Sequence, residues 1–512
     1  MAQVETVGPR DSPGTGNTAM ADSPSQPLSK NPSMEDGDWR AEPAQRRKAA
    51  SNFVPSMGNF SIQYNFTSAS FAVKFMTDTQ YLGRPLYEEP GWADKVTLSA
   101  VFVGAMIGML TMGRLGDVIG RGRAMRCTLA LAILGTCIPA CAAGSPDLTF
   151  AIVCVGRMIL GVGVGGIYPL SAAKSAEGSA DHASRGRRVS QAFFWQCVGQ
   201  VAPYLVAMAL LAGVKADEPE EWVTQLDFRL LFALGAVPAA VVFIASARED
   251  EAEERHAASV RADTSVWTEL RAEPRATFTT LLGTAGSWFL YDVAFYGTNV
   301  FEPSILSAIC MAGTKDAAGK CSQTLMQSAW QSVIVQMMGI PACLLSIHLV
   351  DKIGSKRLNV YGFAILTLLF AAMAIVYQTA QDQSTLLFVL FCALTFFLNF
   401  GPNLGTYVLP AVCFPSHIRS TCHGLSAFGG KTGALVGALM FPAIKGASET
   451  EGLPIVLWIQ AVLCIVAVAV SQVFLKHDWQ YLSPEDKLAT ESFIRGKGSV
   501  QDRMSLPPAG QH

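Results

Sequence analysis

The sequence predicts an all-α membrane protein with about twelve transmembrane helices in two pseudo-symmetric six-helix halves. Half of the 512 residues are hydrophobic and 15% are charged, whereas a soluble domain is about 25% charged. The apolar residues come in runs of about 20, the length that crosses roughly 30 Å of hydrocarbon. A short loop motif recurs about half a chain later, which predicts that the two halves are repeats.

Taken in order, the apolar runs define the spans. They lie near 52–76, 96–115, 124–143, 149–172, 190–213, 228–247, 277–303, 326–350, 357–377, 384–408, 421–443 and 453–475. The first 50 residues are rich in Ser, Pro, Gly and charge and show no cleavable-signal pattern, so they are expected to be disordered. The expected organisation is a cytosolic tail, a six-helix half, a cytosolic linker, a second half and a cytosolic tail: 1–50, 51–247, 248–276, 277–475 and 476–512.

Lys and Arg predict the orientation of the spans. Basic residues cluster between spans 2 and 3, between spans 4 and 5, and between spans 8 and 9, which assigns these loops to the cytosol. Acidic residues occupy the loops on the opposite side, as at Glu88, Glu89 and Asp94. An even number of spans then places both termini in the cytosol. The segment 304–325 is expected outside.

The repeated motif follows the second span of each half. Asp117-Val-Ile-Gly120-Arg121 recurs as Asp351-Lys-Ile-Gly354, 234 residues later. An Asp at a helix end, a Gly that turns the chain and basic residues nearby suit a latch between helix ends at the cytosolic face. The first copy, which starts at Gly113, resembles the loop signature of the major facilitator superfamily. The resemblance implies that fold, with both copies as gating motifs.

Asp292 is a single acid deep in an apolar run. A charge at that depth is costly, so an intramembrane acid is by default a functional-site hypothesis. Trp288, Asp292 and Tyr296 are spaced at i, i+4 and i+8 and share one face of a helix. That face offers an indole donor, a titratable acid and a phenol, as expected for the wall of a polar cavity.

Four segments resemble the phosphate:proton symporter branch of the same superfamily, the fungal- and plant-type high-affinity inorganic phosphate transporters. They are Gly161–Ala172, Trp288–Tyr296, Phe400–Asn403 and Phe414–Lys431. The resemblance implies a substrate site and a lysine near the anion at these positions: Tyr168, Gln196, Trp288, Asp292, Tyr296, Asn403 and Lys431.

These residue types suit dihydrogen phosphate. Indole, phenol and amide groups donate to its bare oxygens, and a carboxylate accepts from its hydroxyls. Two anions in contact at low dielectric repel, so protonation of Asp292 favours phosphate binding and phosphate binding favours that protonation. Asp292 is therefore the predicted proton-coupling residue.

Three positions depart from that family. Where its members carry acids, this chain has Ile62, Asn65 and Ile167. Three alternatives follow: Asp292 handles the proton alone, the coupling has changed, or transport is uncoupled.

Other patterns in the sequence have structural interpretations. The glycine run 161–166 follows no strand, so it indicates close helix packing rather than a dinucleotide loop. Cys310 and Cys321 share an outer loop, where a disulfide is one possibility. His423 is interpreted as structural, and a purely structural ion pair between Asp292 and Lys431 remains an alternative to a binding role.

The sequence therefore predicts a transporter, not an enzyme, that imports inorganic phosphate by alternating access, coupled to protons, at the plasma membrane. Neither a metal site nor a cofactor is expected, and the formal net charge of −2 gives no sign of nucleic-acid binding. The alternatives are a related transporter of a phosphodiester, another organic anion or a sugar, and a phosphate sensor that does not transport.

Overall fold

The computed structural model describes most of the chain between residues 51 and 476. The described ranges are 51–79, 82–179, 184–213, 220–257, 274–299, 302–315, 321–380, 382–415, 418–447 and 452–476. The predicted tail of residues 1–50, residues 477–512 of the other tail and residues 258–273 of the predicted linker lie outside these ranges. The domain boundaries remain predictions.

The described residues form sixteen helices and one two-stranded hairpin. The N-terminal helices are α1 (Phe53–Thr77), α2 (Ala93–Ile119), α3 (Arg121–Ala140), α4 (Pro146–Glu177), α5 (Arg185–Gly213), α6 (Glu221–Ala233) and α7 (Ala236–Ala257). The C-terminal helices are α8 (Pro274–Asn299), α9 (Glu302–Ile309), α10 (Leu325–Met337), α11 (Gly339–Ile353), α12 (Ser355–Thr379), α13 (Ser384–Asn399), α14 (Pro402–Cys413), α15 (Arg419–Ala447) and α16 (Gly452–Phe474).

Nine segments of the described chain are long and apolar enough to cross a membrane, by length and composition. They are α2, α3, α4, α5, α6 with α7, α10 with α11, α12, α13 with α14, and α16. The other three predicted spans coincide with the long helices α1, α8 and α15. These three carry buried polar side chains such as Gln63, Asp292 and Lys431. Polar residues in a membrane helix face the interior of the bundle, so these helices indicate where a polar site lies.

Three predicted spans are broken into two helices. The clearest break is at Gly401 and Pro402, between α13 and α14. Gly401 has a φ of +81°, a conformation that L side chains rarely adopt, and a Cβ there would lie 2.6 Å from the Leu358 carbonyl oxygen. Pro402 cannot donate a backbone hydrogen bond. The break places Asn403 in the first turn of α14, facing the interior.

The repeated motif has the same backbone form in both halves. Gly120 joins α2 to α3 with a φ of +99°, and Gly354 joins α11 to α12 with a φ of +81°. Each glycine ends one helix and starts the next without an intervening loop. This shared turn agrees with the prediction of two repeated halves.

The glycine run of α4 permits close contact with α2. A Cβ on Gly161 would lie 2.3 Å from the Val101 carbonyl oxygen, and one on Gly165 would lie 2.2 Å from that of Ala105. These distances exclude larger side chains, so the run serves helix packing, as predicted.

The predicted outer loop contains the hairpin. Strands β1 (Thr314–Lys315) and β2 (Cys321–Ser322) pair antiparallel. Cys310 and Cys321 form a disulfide next to this pairing. Of the two possibilities for these cysteines, the structure has the bonded one. The disulfide ties the end of α9 to the segment that leads into α10.

Candidate functional site

One small cavity brings together every predicted substrate-site residue. Helices α4, α5, α8, α14 and α15 contribute to its wall. Its lining consists of aromatic, amide and charged side chains: Tyr168, Phe193, Gln196, Trp288, Asp292, Phe295, Tyr296, Asn403 and Lys431. Residues far apart in the sequence therefore converge at a single point inside the bundle.

An ion pair forms part of the wall of this cavity. The Lys431 Nζ donates to Asp292 Oδ2 at 2.9 Å and to the Tyr296 hydroxyl at 2.9 Å. Both charged side chains are only 2% exposed. Burying two charges costs several kcal/mol per ion, which the pair recovers only with good geometry and further hydrogen bonds. The second bond from Lys431 to Tyr296 supplies part of that compensation.

Aromatic rings surround the lysine. Its Nζ lies 4.2 Å from the ring centroid of Tyr296, 5.1 Å from that of Tyr168 and 5.6 Å from that of Phe66. A ring face attracts a cation, and more strongly where water is excluded. The rings therefore stabilise the ammonium when its contact with Asp292 changes.

Amide and hydroxyl groups supply the remaining polar wall. Gln63 Nε2 donates to the Tyr168 hydroxyl at 3.4 Å, and Asn403 Nδ2 donates to Asn399 Oδ1 at 2.8 Å. The Gln196 Oε1 is buried and has no hydrogen-bond partner among the described residues. An unpartnered buried polar atom is costly, so the Gln196 amide is a group that a polar ligand can satisfy.

Sequence reasoning missed Gln63 and Asn399, which position the predicted residues. Two features of the sequence could have pointed to these residues. Gln63 lies in the most polar stretch of the first span, and Asn399 is four residues before Asn403, on the same helical register. The break at Gly401 lies between the two asparagines, so their contact depends on the bent backbone and not on simple helical spacing.

A tight approach fixes the position of Trp288. A Cβ on Gly430 would lie 2.5 Å from the indole Cδ1, so the neighbouring helix must have glycine at this point. The indole also packs edge-to-face against His423 of that neighbouring helix, with ring centroids 5.5 Å apart. His423 Nε2 lies 3.1 Å from the Tyr407 carbonyl oxygen, which suits the structural interpretation of this histidine.

Comparison with known proteins identifies the family. The model of the Major Facilitator Superfamily matches residues 56–438, about three quarters of the chain. The chain belongs to the major facilitator superfamily. Among solved structures, the proton:xylose symporter XylE aligns with a TM-score of 0.66 and 18% identity, covering 83% of this chain and 95% of that one. At this identity the alignment shows the fold alone, which is the predicted one of twelve helices in two halves.

Curated relatives place the chain in one branch of the superfamily. It is 34% identical to the inorganic phosphate transporter PT2 of Toxoplasma gondii, over 87% of this chain and 74% of the relative. It is 31% identical to the inorganic phosphate transporter 1-6 of Oryza sativa (89% and 93%) and 29% identical to the inorganic phosphate transporter PHO84 of Saccharomyces cerevisiae (83% and 84%). The predicted resemblance to the phosphate transporter branch is confirmed.

The first copy of the superfamily motif joins the two halves. Asp117 Oδ2 accepts from the backbone N–H of Thr421 at 2.7 Å and from its hydroxyl at 2.5 Å. Gly113 lets the helices approach, because a Cβ there would lie 2.7 Å from the Ser420 carbonyl oxygen. The aspartate at the end of α2 is thus bonded to the start of α15.

Ion pairs strengthen this contact. Arg121 pairs with Asp117 at 3.0 Å and with Glu177 at 2.8 Å, and Arg419 of the second half reaches Glu177 at 3.4 Å. The second copy is less tightly held: Asp351 lies 3.5 Å from Arg187 of α5. All these groups lie at the face that the charge pattern assigns to the cytosol. In this structure that face is held closed by contacts between the halves.

Ile62, Asn65 and Ile167 stand where members of the phosphate:proton symporter branch carry acids. None of the three lines the central cavity. Ile62 and Ile167 are fully buried in the apolar core. Asn65 Nδ2 donates to the carbonyl oxygens of Ser61, at 2.8 Å, and Gly235, at 3.1 Å. Asn65 therefore satisfies the backbone at the break between α6 and α7, where an ionised acid would have no proton to donate.

Proposed function

We propose that this protein is a secondary active transporter that imports inorganic phosphate by alternating access, coupled to protons through Asp292. The observation that carries the proposal is the convergence of the seven predicted residues on one buried cavity. The named relatives are inorganic phosphate transporters, and the donors of this cavity suit the same ion. The chain acts as a transporter and not as an enzyme.

The cavity offers complementary groups for each part of dihydrogen phosphate. Lys431 carries the positive charge that compensates the anion, and charge-assisted hydrogen bonds are roughly twice as strong as neutral ones. The hydroxyls of Tyr168 and Tyr296 and the amides of Gln196 and Asn403 can donate to the bare oxygens. Asp292 is placed beside Lys431, where it can accept from a phosphate hydroxyl or hold a proton itself.

The ion pair between Asp292 and Lys431 explains how phosphate and a proton are coupled. Without phosphate, the Asp292 carboxylate neutralises Lys431. When phosphate enters, it competes with Asp292 for the ammonium, and two anions in contact repel. A proton on Asp292 removes that repulsion and frees Lys431 for the phosphate. The cavity is then neutral both when empty and when loaded with one proton and one dihydrogen phosphate.

Charge neutrality in both states makes reorientation between the halves feasible, because moving an uncompensated charge through a low-dielectric interior is costly. A site holding phosphate without the proton, or the proton without phosphate, carries a net charge. A site in either of these charged states reorients slowly, so phosphate and the proton cross the membrane together. This is the differential interaction that coupled transport requires.

The contacts at the cytosolic face provide the inner gate in this proposal. Gly113, Asp117, Gly120 and Arg121 belong to the first gating motif, and Asp351 and Gly354 to the second. Opening toward the cytosol must break the bonds of Asp117 to Thr421 and of Glu177 to Arg419. Both bonds connect the two halves, so a rigid-body rotation of one half against the other would break them together.

We place the protein in the plasma membrane, with the loop 304–325 outside. The disulfide between Cys310 and Cys321 supports an oxidising environment for that loop. The basic clusters support a cytosolic location for the opposite face.

Uptake by purified protein in liposomes tests the proposal. We expect labelled phosphate to accumulate inside when the external solution is more acidic, and to equilibrate without accumulating when no pH gradient is present. Empty liposomes are the control. Binding of phosphate without transport would support a sensor instead, and preferential uptake of a sugar or an organic phosphate would overturn the substrate assignment.

A further inference from the structure

A buried carboxyl outside the central cavity has no role in the mechanism above. Among the acids of the described chain, Asp227, Asp292 and Glu302 are at most 3% exposed. Asp227 lies on α6 and Glu302 begins α9, and neither lines the central cavity or the cavity beside it. Glu302 differs from Asp227 because its hydrogen-bond partner Gln336 lines the cavity beside the central one. Glu302 is therefore the buried acid whose surroundings bear on the central site.

Glu302 has polar partners but no cation. Gln336 Nε2 donates to Glu302 Oε2, and Glu302 Oε1 has no hydrogen-bond partner among the described residues. The titratable groups that face it are Tyr204 of α5 and Cys392 of α13, and Ser332 of α10 lies beside it. No Lys or Arg of the described chain forms an ion pair with it. A carboxylate buried in this way is costly to keep charged, so the group is suited to holding a proton.

A second cavity, here called the outer cavity, lies on the predicted outer side of the central cavity and shares Phe295 and Tyr296 with it. Glu302 does not line it, but its partner Gln336 and the facing Tyr204 do. Asn299 lines it as well and accepts from Gln336 at 2.9 Å. The lining also includes the cation of Arg157, which is 2% exposed. The polar part of this lining suits a small number of water molecules.

Polar side chains lie one after another in space between Glu302 and Asp292. Gln336, which lines the outer cavity, donates to Glu302. Tyr296 lines both cavities and accepts from Lys431, which pairs with Asp292. Since amides do not themselves pass protons, the transfer between the two carboxyls needs hydroxyl groups and water. Ser332 lies beside both Glu302 and Tyr204, and Tyr204 lines the outer cavity.

We propose that Glu302 is a proton-loading site, which takes a proton from the outer side and passes it through water in the outer cavity to Asp292. The Glu302 carboxylate binds a proton from external water. The O–H bond at Glu302 breaks, the hydroxyls of Ser332 and Tyr204 and water in the outer cavity carry the proton, and an O–H bond forms at Asp292. Glu302 is left as a carboxylate and is protonated again from outside. One proton thus reaches Asp292 for each phosphate, without any acid at Ile62, Asn65 or Ile167.

This inference rests on the proposed function, and two liposome assays separate them. Net uptake driven by a pH gradient requires Asp292 to gain and lose a proton in every cycle. Exchange of labelled for unlabelled phosphate, with phosphate on both sides, requires no net proton movement. A defect in proton loading therefore lowers net uptake while exchange continues. A defect in folding or phosphate binding lowers both.

The test compares Glu302→Gln with the matched control Asp227→Asn, which removes a buried acid away from both cavities. We expect Glu302→Gln to lower net uptake on the order of tenfold or more, the scale of a lost proton-transfer group, with exchange reduced by less than about twofold. Glu302→Asp, which keeps a carboxyl, should recover part of the net uptake. Asp227→Asn should match wild type in both assays.

Three results would overturn the proposal. Wild-type net uptake in Glu302→Gln would show that this carboxyl does not load the proton. Equal loss of net uptake and exchange would assign Glu302 a structural role. If Glu302→Gln does not fold, Gln336→Leu cuts the same connection, and equal loss of both activities there would likewise refute the idea. Failure of the wild-type protein to take up phosphate at all would instead contradict the proposed function.

Discussion

Replacing Lys431 by Gln separates a binding role of the central ion pair from a purely structural one. The substitution removes the charge that lies 2.9 Å from Asp292 and keeps a hydrogen-bond donor of similar length. In the proposed mechanism this lysine compensates the bound anion. Removing one partner of a buried, hydrogen-bonded charge pair costs about 2–5 kcal/mol. At about 1.4 kcal/mol per factor of ten, even the lower value weakens phosphate binding roughly 30-fold.

Isothermal titration calorimetry on detergent-purified protein measures this effect. The matched control is Lys356→Gln, because Lys356 is also buried but donates to the backbone carbonyls of Gln472 and Leu475, away from the cavity. We expect phosphate affinity to fall only in Lys431→Gln. Folded Lys431→Gln protein that binds phosphate within about twofold of wild type would refute the reasoning and leave the pair with a structural role alone.

Three further predictions address the pocket shape, the substrate and the topology. Gly430→Ala forces the Trp288 ring to move, since the new methyl would lie 2.5 Å from it. Overpacking of this kind costs about 1–3 kcal/mol, so both the melting temperature and phosphate uptake should fall. Unchanged uptake would show that the position of the indole is not critical. Arsenate, which resembles phosphate in shape and charge, should compete with labelled phosphate while glucose should not; displacement by glucose would reassign the substrate. Single cysteines placed in segment 248–276 should resist an impermeant thiol reagent in intact cells, and those in 304–325 should react; labelling of the first segment would reverse the predicted orientation.

Much of the fold followed from the sequence because membrane spans are defined by local composition. Runs of about 20 apolar residues locate the helices, and the recurrence of Asp117-Val-Ile-Gly120 as Asp351-Lys-Ile-Gly354 indicates the repeat. The breaks within spans were harder to predict. A glycine such as Gly401 is common in membrane helices, and only the neighbouring Leu358 backbone shows why the chain must turn there.

The candidate site was predictable to the extent that its residues lie in recognisable motifs. Asp292 stands out as an acid in an apolar run, and its helical spacing from Trp288 and Tyr296 places the three together. Contacts between distant segments are not encoded in such spacing. The bond from Asp117 to Thr421 spans 304 residues. Glu302 lies at the end of the predicted span 277–303, and only the structure shows that it is buried.

The central claim, that Asp292 couples phosphate to protons, is tested most directly by Asp292→Asn in liposomes. Accumulation of labelled phosphate is measured under an imposed pH gradient, normalised to folded protein and compared with wild type. An amide cannot gain or lose a proton, so the account predicts that accumulation above equilibrium is abolished in the mutant. An accumulation ratio equal to that of wild type would contradict it.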